Sequence, residues 1–538
     1  MNSFKILSKK NIDWLVLIII IVITAIIRIR LLDVPLERDE GGYAYTAQLM
    51  LQGIPPYLKA YSMRLPGLHI AYALIISLFG QTSHAIHTGL LIINSINILF
   101  IYLLSRFFLS KTGSLVSTAT FALLSITYTL QGIHANSEHF LILFVTVGLF
   151  LLLYGLKNNS DKYLFYSGLS LGTALLMKQN GIFFTIPATV YLVYYSIRID
   201  NTDWIFLLKR LSYFLFGLVL LVCLVLSFIF YIGIFKNFWF WTYIYAREYV
   251  SNFAINQALN SFLSSFEYVT GPARLLWIFI GLGLMFLFIK IRSIKFSFFL
   301  MLLCFFSMLS ICPGFYFRAH YFILLIPCAA ILAGLTVDIL PNLPIFRLKH
   351  KLCSLAIMII FIICILQTIY LQSSYLFFMT PFQTNRLNYG SNPFNESKAI
   401  AEYINKNTTE DDTIAVFGSE PQIFFYSKRK SSSGFIHMYP LMEKHKFALS
   451  MQKSFINDIN KLKPKYIIYV NVYTSWLQRS FSHKLIFNYL NDLISNHKYT
   501  IIGLVNINKS KSYYYWKPDN IKSLSKSENW IGIYERSK

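Results

Sequence analysis

Residues 13–45 read DWLVLIIIIVITAIIRIRLLDVPLERDEGGYAY, an apolar run followed closely by two adjacent carboxylates. The segment 13–31 is long and apolar enough to cross a membrane. Asp39 and Glu40 then open a short amphipathic pattern that predicts a helix ending just before Gly53. One interpretation is that Asp39 only caps this helix, which is worth about 1 kcal/mol. The other is that carboxylates at the mouth of a membrane protein carry chemistry.

The composition indicates an integral membrane protein. Of the 538 residues, 56% are hydrophobic and 13% charged, whereas soluble proteins contain about 25% charged residues. Because a span needs about 20 mostly apolar residues, we predict about eleven transmembrane helices. They cover 13–31, 83–105, 112–130, 139–155, 163–178, 180–197, 211–235, 273–290, 296–312, 319–338 and 352–373. The first lacks a small-residue cleavage site and is interpreted as a retained anchor.

The net charge of +24 follows the predicted topology and does not indicate a nucleic-acid partner. With a cytoplasmic N-terminus, the predicted inside loops, including 1–12 and 290–295, are rich in Lys and Arg. The outside loops, including the long ones at 32–82 and 236–272, are poor in both. This positive-inside bias fixes the orientation. It also indicates that the short apolar run 65–80 lies along the interface or re-enters the membrane.

The chain is therefore predicted to be mainly α, with a polytopic membrane part at 1–375 and an extracytoplasmic α/β domain at 376–538. In the second part, short apolar strands alternate with amphipathic helices. The predicted helices are Ser397–Asn405, Phe455–Leu462 and Lys484–Ser495, and the predicted strands are Thr413–Gly418, Tyr466–Val472, Thr500–Val505 and, as an edge strand, Trp530–Tyr534. Because this part has no glycine-rich phosphate loop, we expect a packing or recognition role.

Several ionisable side chains, which are energetically costly to place at membrane depth, fall on the outer side of the predicted membrane part. They are Asp39, Glu40, Arg64, Glu138, Lys178, Arg318 and His320. Each has a structural explanation: Lys178 can snorkel to the interface, Glu138 can cap its helix, Arg318 can pair with a carboxylate, and His320 can be an interfacial histidine. Together, carboxylates and cations suit a site that activates a hydroxyl group and holds a phosphate.

At these residues the chain resembles the GT-C glycosyltransferases. The likeness is to the protein O-mannosyltransferase-like family that includes the bacterial aminoarabinose–lipid A transferases. The motifs that carry it are, in chain order, Asp39-Glu40-Gly-Gly-Tyr43, Arg64-Leu65-Pro66, Glu138 at the start of a span, Lys178 at the end of the next, and Arg318-Ala-His320-Tyr321. The similarity covers most of 13–375 and is best over 33–190.

The resemblance implies an inverting glycosyltransferase at the outer face of the cytoplasmic membrane. It would transfer a sugar from a polyprenyl-phosphate carrier to a lipid, glycan or protein hydroxyl. Asp39 is expected to act as the base, and Glu40 to shape the acceptor site or share that role. Tyr43 is expected either to stack on the sugar or to pack under its helix.

The remaining residues are expected to bind the donor. Arg64, Lys178 and Arg318 are candidates for stabilising the leaving phosphate. Glu138 would orient a cation or the sugar, and His320 lies in the same substrate-binding set. A divalent cation shared by Asp39 and Glu138 is chemically reasonable. The resemblance, however, is to enzymes thought to work without a metal, and we expect no cofactor.

Two other function classes remain open from the residues alone. A transporter or flippase for lipid-linked sugars also needs acids and cations near a membrane cavity. Such proteins often contain internal repeats or paired broken spans near the midplane, and the sequence shows no repeat. A non-catalytic scaffold, whose C-terminal domain binds a cell-envelope partner, is the third class.

Overall fold

The computed structural model describes residues 12–251, 255–289, 297–343, 349–517 and 524–537. The predicted inside loops 1–12 and 290–295 lie almost entirely outside these residues. Helices dominate the chain up to the C-terminal domain. They are α1 (Ile12–Ile29), α2 (Arg38–Leu51), α3 (Pro66–Phe79), α4 (Ser83–Ser105), α5 (Lys111–Leu124), α6 (Ser137–Lys157), α7 (Asp161–Met177), α8 (Ile182–Arg198), α9 (Trp204–Tyr231), α10 (Phe235–Trp239), α11 (Ala246–Ser251), α12 (Ala258–Thr270), α13 (Arg274–Ile289), α14 (Ser297–Ser310), α15 (Ile326–Ile339) and α16 (His350–Leu371).

The polytopic, mainly α prediction is confirmed, and the described residues of each predicted span are mainly helical. Within the described residues, seven helical segments are long and apolar enough to cross a membrane. They are Ile12–Ile29, Ser83–Ser105, Ser137–Lys157, Trp204–Tyr231, Ala258–Ile289, Ala319–Asn342 and His350–Leu371. The predicted spans at α5, α7, α8 and α14 form shorter helices of 14 to 17 residues. Between α7 and α8 the backbone leaves the helical conformation at Lys178, with φ −159° and ψ 144°.

The chain divides into two compact units, and each combines segments that are distant in sequence. The first unit contains Met1–Leu31, Thr88–Phe228 and Phe253–Phe378. In it α6 packs along α7, and α5 packs along α15. The second unit contains Leu32–His87, Ile229–Asn252 and Met379–Lys538. The linear division at 375/376 stays a prediction.

The C-terminal domain of the second unit (residues 379–538) is built around one mixed sheet. Its helices are α17 (Pro381–Tyr389), α18 (Phe394–Lys406), α19 (Gln422–Ser427), α20 (Tyr439–Met442), α21 (Ala448–Leu462), α22 (Tyr473–Trp476) and α23 (Leu485–Ser495). Its strands are β1 (Thr413–Phe417), β2 (Lys430–Ser431), β3 (Tyr466–Asn471), β4 (Tyr499–Ile507), β5 (Tyr513–Trp516) and β6 (Asn529–Arg536). Among the described residues the strand order is β2-β1-β3-β6-β4-β5. β1 is parallel to β2 and β3, whereas β6, β4 and β5 form antiparallel pairs.

The predicted helices and strands of this domain are confirmed, with one error in position. The stretch Trp530–Tyr534 was expected at a sheet edge, but β6 lies between β3 and β4. Its Ile531 and Ile533 side chains are fully buried, as expected for a strand with neighbours on both sides. The edges are instead the short strands β2 and β5.

Candidate functional site

Helix α2 begins with a reciprocal cap that leaves Asp39 out. The Glu37 carboxylate accepts a hydrogen bond from the Glu40 backbone N–H at 2.8 Å. In return, the Glu40 carboxylate accepts one from the Glu37 N–H at 3.0 Å. This is a capping box with glutamates at both positions. The interpretation of Asp39 as the N-cap is therefore wrong, because Glu37 holds that position. Asp39 instead places its carboxylate in the first turn, where the helix dipole favours a negative charge.

Asp39, Tyr43 and Arg64, three of the predicted site residues, lie close together in the structure. An Arg64 terminal nitrogen (Nη2) is 3.4 Å from Asp39 Oδ2, and both side chains are partly exposed. Arg64 Nε also donates to the Tyr43 hydroxyl at 2.8 Å. The backbone of Arg64 is fixed by the Tyr57 hydroxyl, which donates to its carbonyl at 2.7 Å. The Asp39 carboxylate therefore faces a guanidinium group that is hydrogen-bonded to Tyr43, on a backbone that Tyr57 fixes.

The Tyr43 ring lies inside the second unit. Only 4% of the residue is exposed, and its ring meets Tyr72 edge-on at 5.5 Å between centroids. The Arg64 guanidinium lies 5.7 Å from its centroid. Of the two roles considered for Tyr43, this geometry supports packing under the helix and presentation of Arg64.

Glu40 is completely buried and contacts a histidine that sequence reasoning missed. His87 Nε2 lies 2.9 Å from Glu40 Oε1, and His87 Nδ1 lies 2.9 Å from the Leu32 carbonyl oxygen. A carbonyl oxygen can only accept, so Nδ1 carries a hydrogen. Glu40 thus anchors α2 from within, whereas Asp39 faces outward.

Burial and two neighbouring carboxylates make Glu37 costly to ionise. Burial, followed by the negative charges of Asp39 and Glu40, raises the pKa of Glu37 well above its usual range. Arg38 lies between them in sequence but pairs with Glu420 of the C-terminal domain at 2.8 Å. Its guanidinium charge is therefore used in a different contact from the one that holds Asp39.

The two glycines of the Asp-Glu-Gly-Gly-Tyr motif allow the C-terminal domain to approach α2. A Cβ atom on Gly41 would lie 2.7 Å from the backbone nitrogen of Gln422, at the start of α19. A Cβ atom on Gly42 would lie 2.8 Å from Nε2 of His437. Because real Cβ contacts are not this short, a side chain at Gly41 would collide with backbone, whereas one at Gly42 would have to displace the His437 ring.

Backbone hydrogen bonds extend the contact between the C-terminal domain and residues 32–87. The Leu36 N–H donates to the Tyr426 hydroxyl at 2.9 Å. The Ser431 N–H donates to the Tyr45 hydroxyl at 2.8 Å, and the Tyr61 N–H donates to the Gly434 carbonyl at 2.8 Å. The C-terminal domain therefore packs against the loop that carries Asp39, and its packing or recognition role stays a prediction.

The second predicted group of site residues belongs to the first unit. Lys178 forms an ion pair with Glu138, and its ammonium nitrogen lies 4.3 Å from the centroid of Tyr321. Because the lysine is buried, it does not extend to the surface as a snorkelling side chain would. Glu138 does not cap α6, whose N-cap residue is Asn136. The Ser137 hydroxyl donates to the other Glu138 oxygen at 3.1 Å.

Arg318 and His320 lie at the start of the 3₁₀ helix Ala319–Leu325, which leads into α15. The His320 ring is buried, and its Nδ1 lies 3.0 Å from Gln131 Oε1. The Arg318 guanidinium lies 5.7 Å from the centroid of Tyr316. The structure therefore joins Glu138 to Lys178 directly, and it places His320 against Gln131 and Arg318 beside Tyr316. A metal ion shared by Asp39 and Glu138 stays a prediction.

Comparisons with known proteins agree with the resemblance seen in the motifs. The family model described as dolichyl-phosphate-mannose-protein mannosyltransferase matches residues 66–231. A second family model, for the C-terminal domain of the competence-induced protein Ccs4, matches residues 394–503. A search of curated proteins found no match.

Two solved structures share the fold over nearly the whole chain. ArnT from Cupriavidus metallidurans, bound to undecaprenyl phosphate, is 13% identical with a TM-score of 0.61, over 97% of this chain and 98% of ArnT. The oligosaccharyltransferase AglB from Archaeoglobus fulgidus, in complex with an inhibitory peptide and a dolichol-phosphate, is 12% identical with a TM-score of 0.56, over 96% of this chain and 75% of AglB. Both are GT-C glycosyltransferases, and the predicted resemblance to that superfamily is confirmed.

Proposed function

We propose that this chain is a membrane glycosyltransferase that moves a sugar from a polyprenyl-phosphate carrier to an acceptor hydroxyl group. The family match over 66–231 supports the transferase class. The two structural neighbours bind undecaprenyl phosphate and dolichol-phosphate, which supports a lipid-phosphate donor. The observation that carries the proposal is the partly exposed Asp39 carboxylate, held beside Arg64 at the start of α2.

Asp39 acts as the general base. It takes the proton of the acceptor hydroxyl as that oxygen attacks the anomeric carbon of the donor sugar. The bond from the anomeric carbon to the phosphate oxygen breaks on the opposite face, so configuration inverts and polyprenyl phosphate leaves with the electron pair. General-base assistance of this kind contributes about 10²–10⁴-fold to the rate.

Arg64 holds the base in position and adds positive charge close to the reaction. Its contacts with Asp39 and the Tyr43 hydroxyl limit the carboxylate to few orientations. Fixing a reacting group in this way avoids the entropy cost of orienting it during reaction. Glu40 is hydrogen-bonded to His87 inside the unit. This contact holds the first turn of α2, which also carries Asp39, in position.

Lys178 and Arg318 stabilise the negative charge that develops on the leaving phosphate. Positively charged groups placed where charge develops are often the largest contribution to catalysis. Glu138 orients Lys178 through their buried ion pair. His320, hydrogen-bonded to Gln131, adds a polar contact for the donor.

The reaction is proposed to occur at the outer face of the cytoplasmic membrane. The low Lys and Arg content of the loops that contain Asp39 and Glu138 supports this side. The carrier's hydrocarbon chain remains among the membrane lipids, and the acceptor is a lipid, glycan or protein hydroxyl.

Donor consumption by the purified protein tests the proposal. Protein in detergent is incubated with a panel of undecaprenyl- and dolichyl-phosphate sugars and a membrane extract as acceptor, and released polyprenyl phosphate is quantified. Wild type is expected to consume one donor class, and Asp39→Asn to consume almost none. If no donor is consumed, and the same lipid-linked sugars cross liposome membranes that contain the protein, the proposal is wrong and a transporter replaces it.

A further inference from the structure

His437 of the C-terminal domain lies against the helix that carries the proposed base. Its Nε2 faces Gly42 so closely that a Cβ there would be 2.8 Å away. Gly42 is three residues after Asp39 in α2, and side chains at this spacing are neighbours on one helix face. The imidazole therefore lies beside the face of α2 that presents the Asp39 carboxylate.

The segment 432–438, which carries His437, is fixed on both sides. The Gly434 carbonyl accepts the hydrogen bond from the Tyr61 N–H at 2.8 Å. The Met438 N–H donates to the Ser419 hydroxyl at 2.8 Å. The His437 ring also stacks on Tyr439, with an interplanar angle of 13°. The backbone on both sides of His437 is thus held in place, and its ring lies parallel to that of Tyr439.

One ring nitrogen of His437 has an unmet hydrogen-bonding requirement. Among the described residues, its buried Nδ1 has no hydrogen-bond partner. Leaving a buried polar atom unpaired costs about 1–3 kcal/mol, and such atoms in native proteins often mark functional sites. Burial lowers the pKa of His437 to about 4, so the ring is neutral at physiological pH and offers one donor and one acceptor.

We propose that His437 binds a hydroxyl group of the acceptor next to Asp39, so that α2 and the C-terminal domain build the acceptor site jointly. A sugar-type hydroxyl both donates and accepts, which matches a neutral imidazole. The acceptor is assigned, rather than the donor, because Asp39 deprotonates the acceptor and His437 lies on the same helix face. This inference rests on the proposed function and extends the site to a domain with no assigned chemistry.

The test separates transfer to the acceptor from hydrolysis of the donor by water. Wild type, His437→Phe and His437→Leu, whose new side chains can neither donate nor accept a hydrogen bond, are incubated with the donor found in the panel, with and without a titrated membrane extract. His497→Phe is the matched control, because His497 is an exposed histidine of the same domain. Melting temperatures are recorded for every variant.

For both His437 variants we expect transfer to fall about tenfold, the value of one lost hydrogen bond of about 1.4 kcal/mol. Donor hydrolysis without extract and the melting temperature should stay near wild type. Gly42→Ala, whose new methyl group pushes against the ring, should show the same selective loss. The control should match wild type in every assay.

Unchanged transfer in His437→Phe and His437→Leu overturns this inference while the proposed function stands. A parallel fall of transfer, hydrolysis and melting temperature also overturns it, because that pattern shows a purely structural histidine. Wild-type protein that consumes no donor overturns the proposed function, and this inference with it.

Discussion

The ion pair between Arg38 and Glu420 joins the start of α2 to the C-terminal domain, and Glu420→Gln tests how much that contact contributes to stability. The pair is 2.8 Å long, with 11% of the Arg38 side chain and none of the Glu420 side chain exposed. Glu420 also accepts a hydrogen bond from the Ser475 hydroxyl at 2.6 Å. The substitution keeps the shape of the side chain and removes its charge, so Arg38 becomes a buried cation without its counter-charge.

Breaking one side of a buried pair costs about 3–5 kcal/mol. The lower end applies here, because Arg38 keeps its 2.6 Å bond to the Ser419 carbonyl and its 3.1 Å bond to Asn392 Oδ1. A domain of 150–250 residues loses about 2–4 °C of melting temperature per kcal/mol. A loss of about 3 kcal/mol therefore predicts a melting temperature about 6–12 °C lower.

Thermal unfolding in detergent, followed by intrinsic fluorescence, measures this effect. Asp412→Asn is the matched control, since the Asp412–Lys465 pair in the same domain is about one-third exposed and worth at most about 1 kcal/mol. The double variant Arg38→Met/Glu420→Gln should lose less than the sum of its single changes. If Glu420→Gln shifts the melting temperature no more than the control does, the reasoning about the buried contact is refuted.

Three further substitutions probe the contacts around the site. Gly41→Ala places a methyl group 2.7 Å from the Gln422 backbone and should cost about 1–3 kcal/mol by overpacking; an unchanged melting temperature would contradict the close approach. The raised pKa of Glu37 means that ionisation opposes folding, so wild type loses stability as pH rises above the usual glutamate pKa of about 4.3. Glu37→Gln should therefore have a higher melting temperature than wild type at pH 7 and the same melting temperature at pH 4. If the melting temperatures of the two proteins change with pH in the same way, a buried charge at Glu37 is contradicted. Lys178→Met should lower both the melting temperature and donor consumption. In the double variant Lys178→Met/Glu138→Gln the melting temperature should recover while donor consumption stays low. Recovery of donor consumption in the double variant would assign the ion pair a structural role.

The local structure around Asp39 was largely predictable from the sequence. The amphipathic pattern from Asp39 predicted the helix observed at Arg38–Leu51. The identity of the cap was missed, although Glu37 and Glu40 have the spacing of a capping box. The first position of that box is usually Ser or Thr, and a glutamate there does not stand out.

The sheet shows where local patterns stop being informative. Buried apolar runs identified β1, β3 and β4, because such runs depend on burial alone. The two-residue strand β2 carries no pattern, and β5 is a run of aromatic residues without alternation. The central place of β6 depends on pairing with β3 and β4, which is a long-range property.

Contacts between distant segments were beyond the sequence analysis for the same reason. Arg38 meets Glu420, and Gly42 meets His437, across more than 370 residues of sequence. One local signal was present. Glycine in a helix costs about 1 kcal/mol relative to alanine, so the adjacent pair Gly41-Gly42 in a helical pattern already indicated a close approach by another segment.

The central claim is that the Asp39 carboxylate is the base of a glycosyl transfer, and single-turnover kinetics of Asp39→Asn test it most directly. Asp33→Asn is the control, because Asp33 is an exposed carboxylate of the same loop. Asp39→Asn is expected to melt like wild type and bind the polyprenyl-phosphate sugar equally well. It should release polyprenyl phosphate about 10²–10⁴-fold more slowly, while Asp33→Asn keeps the wild-type rate. Release by Asp39→Asn at the wild-type rate would contradict the account.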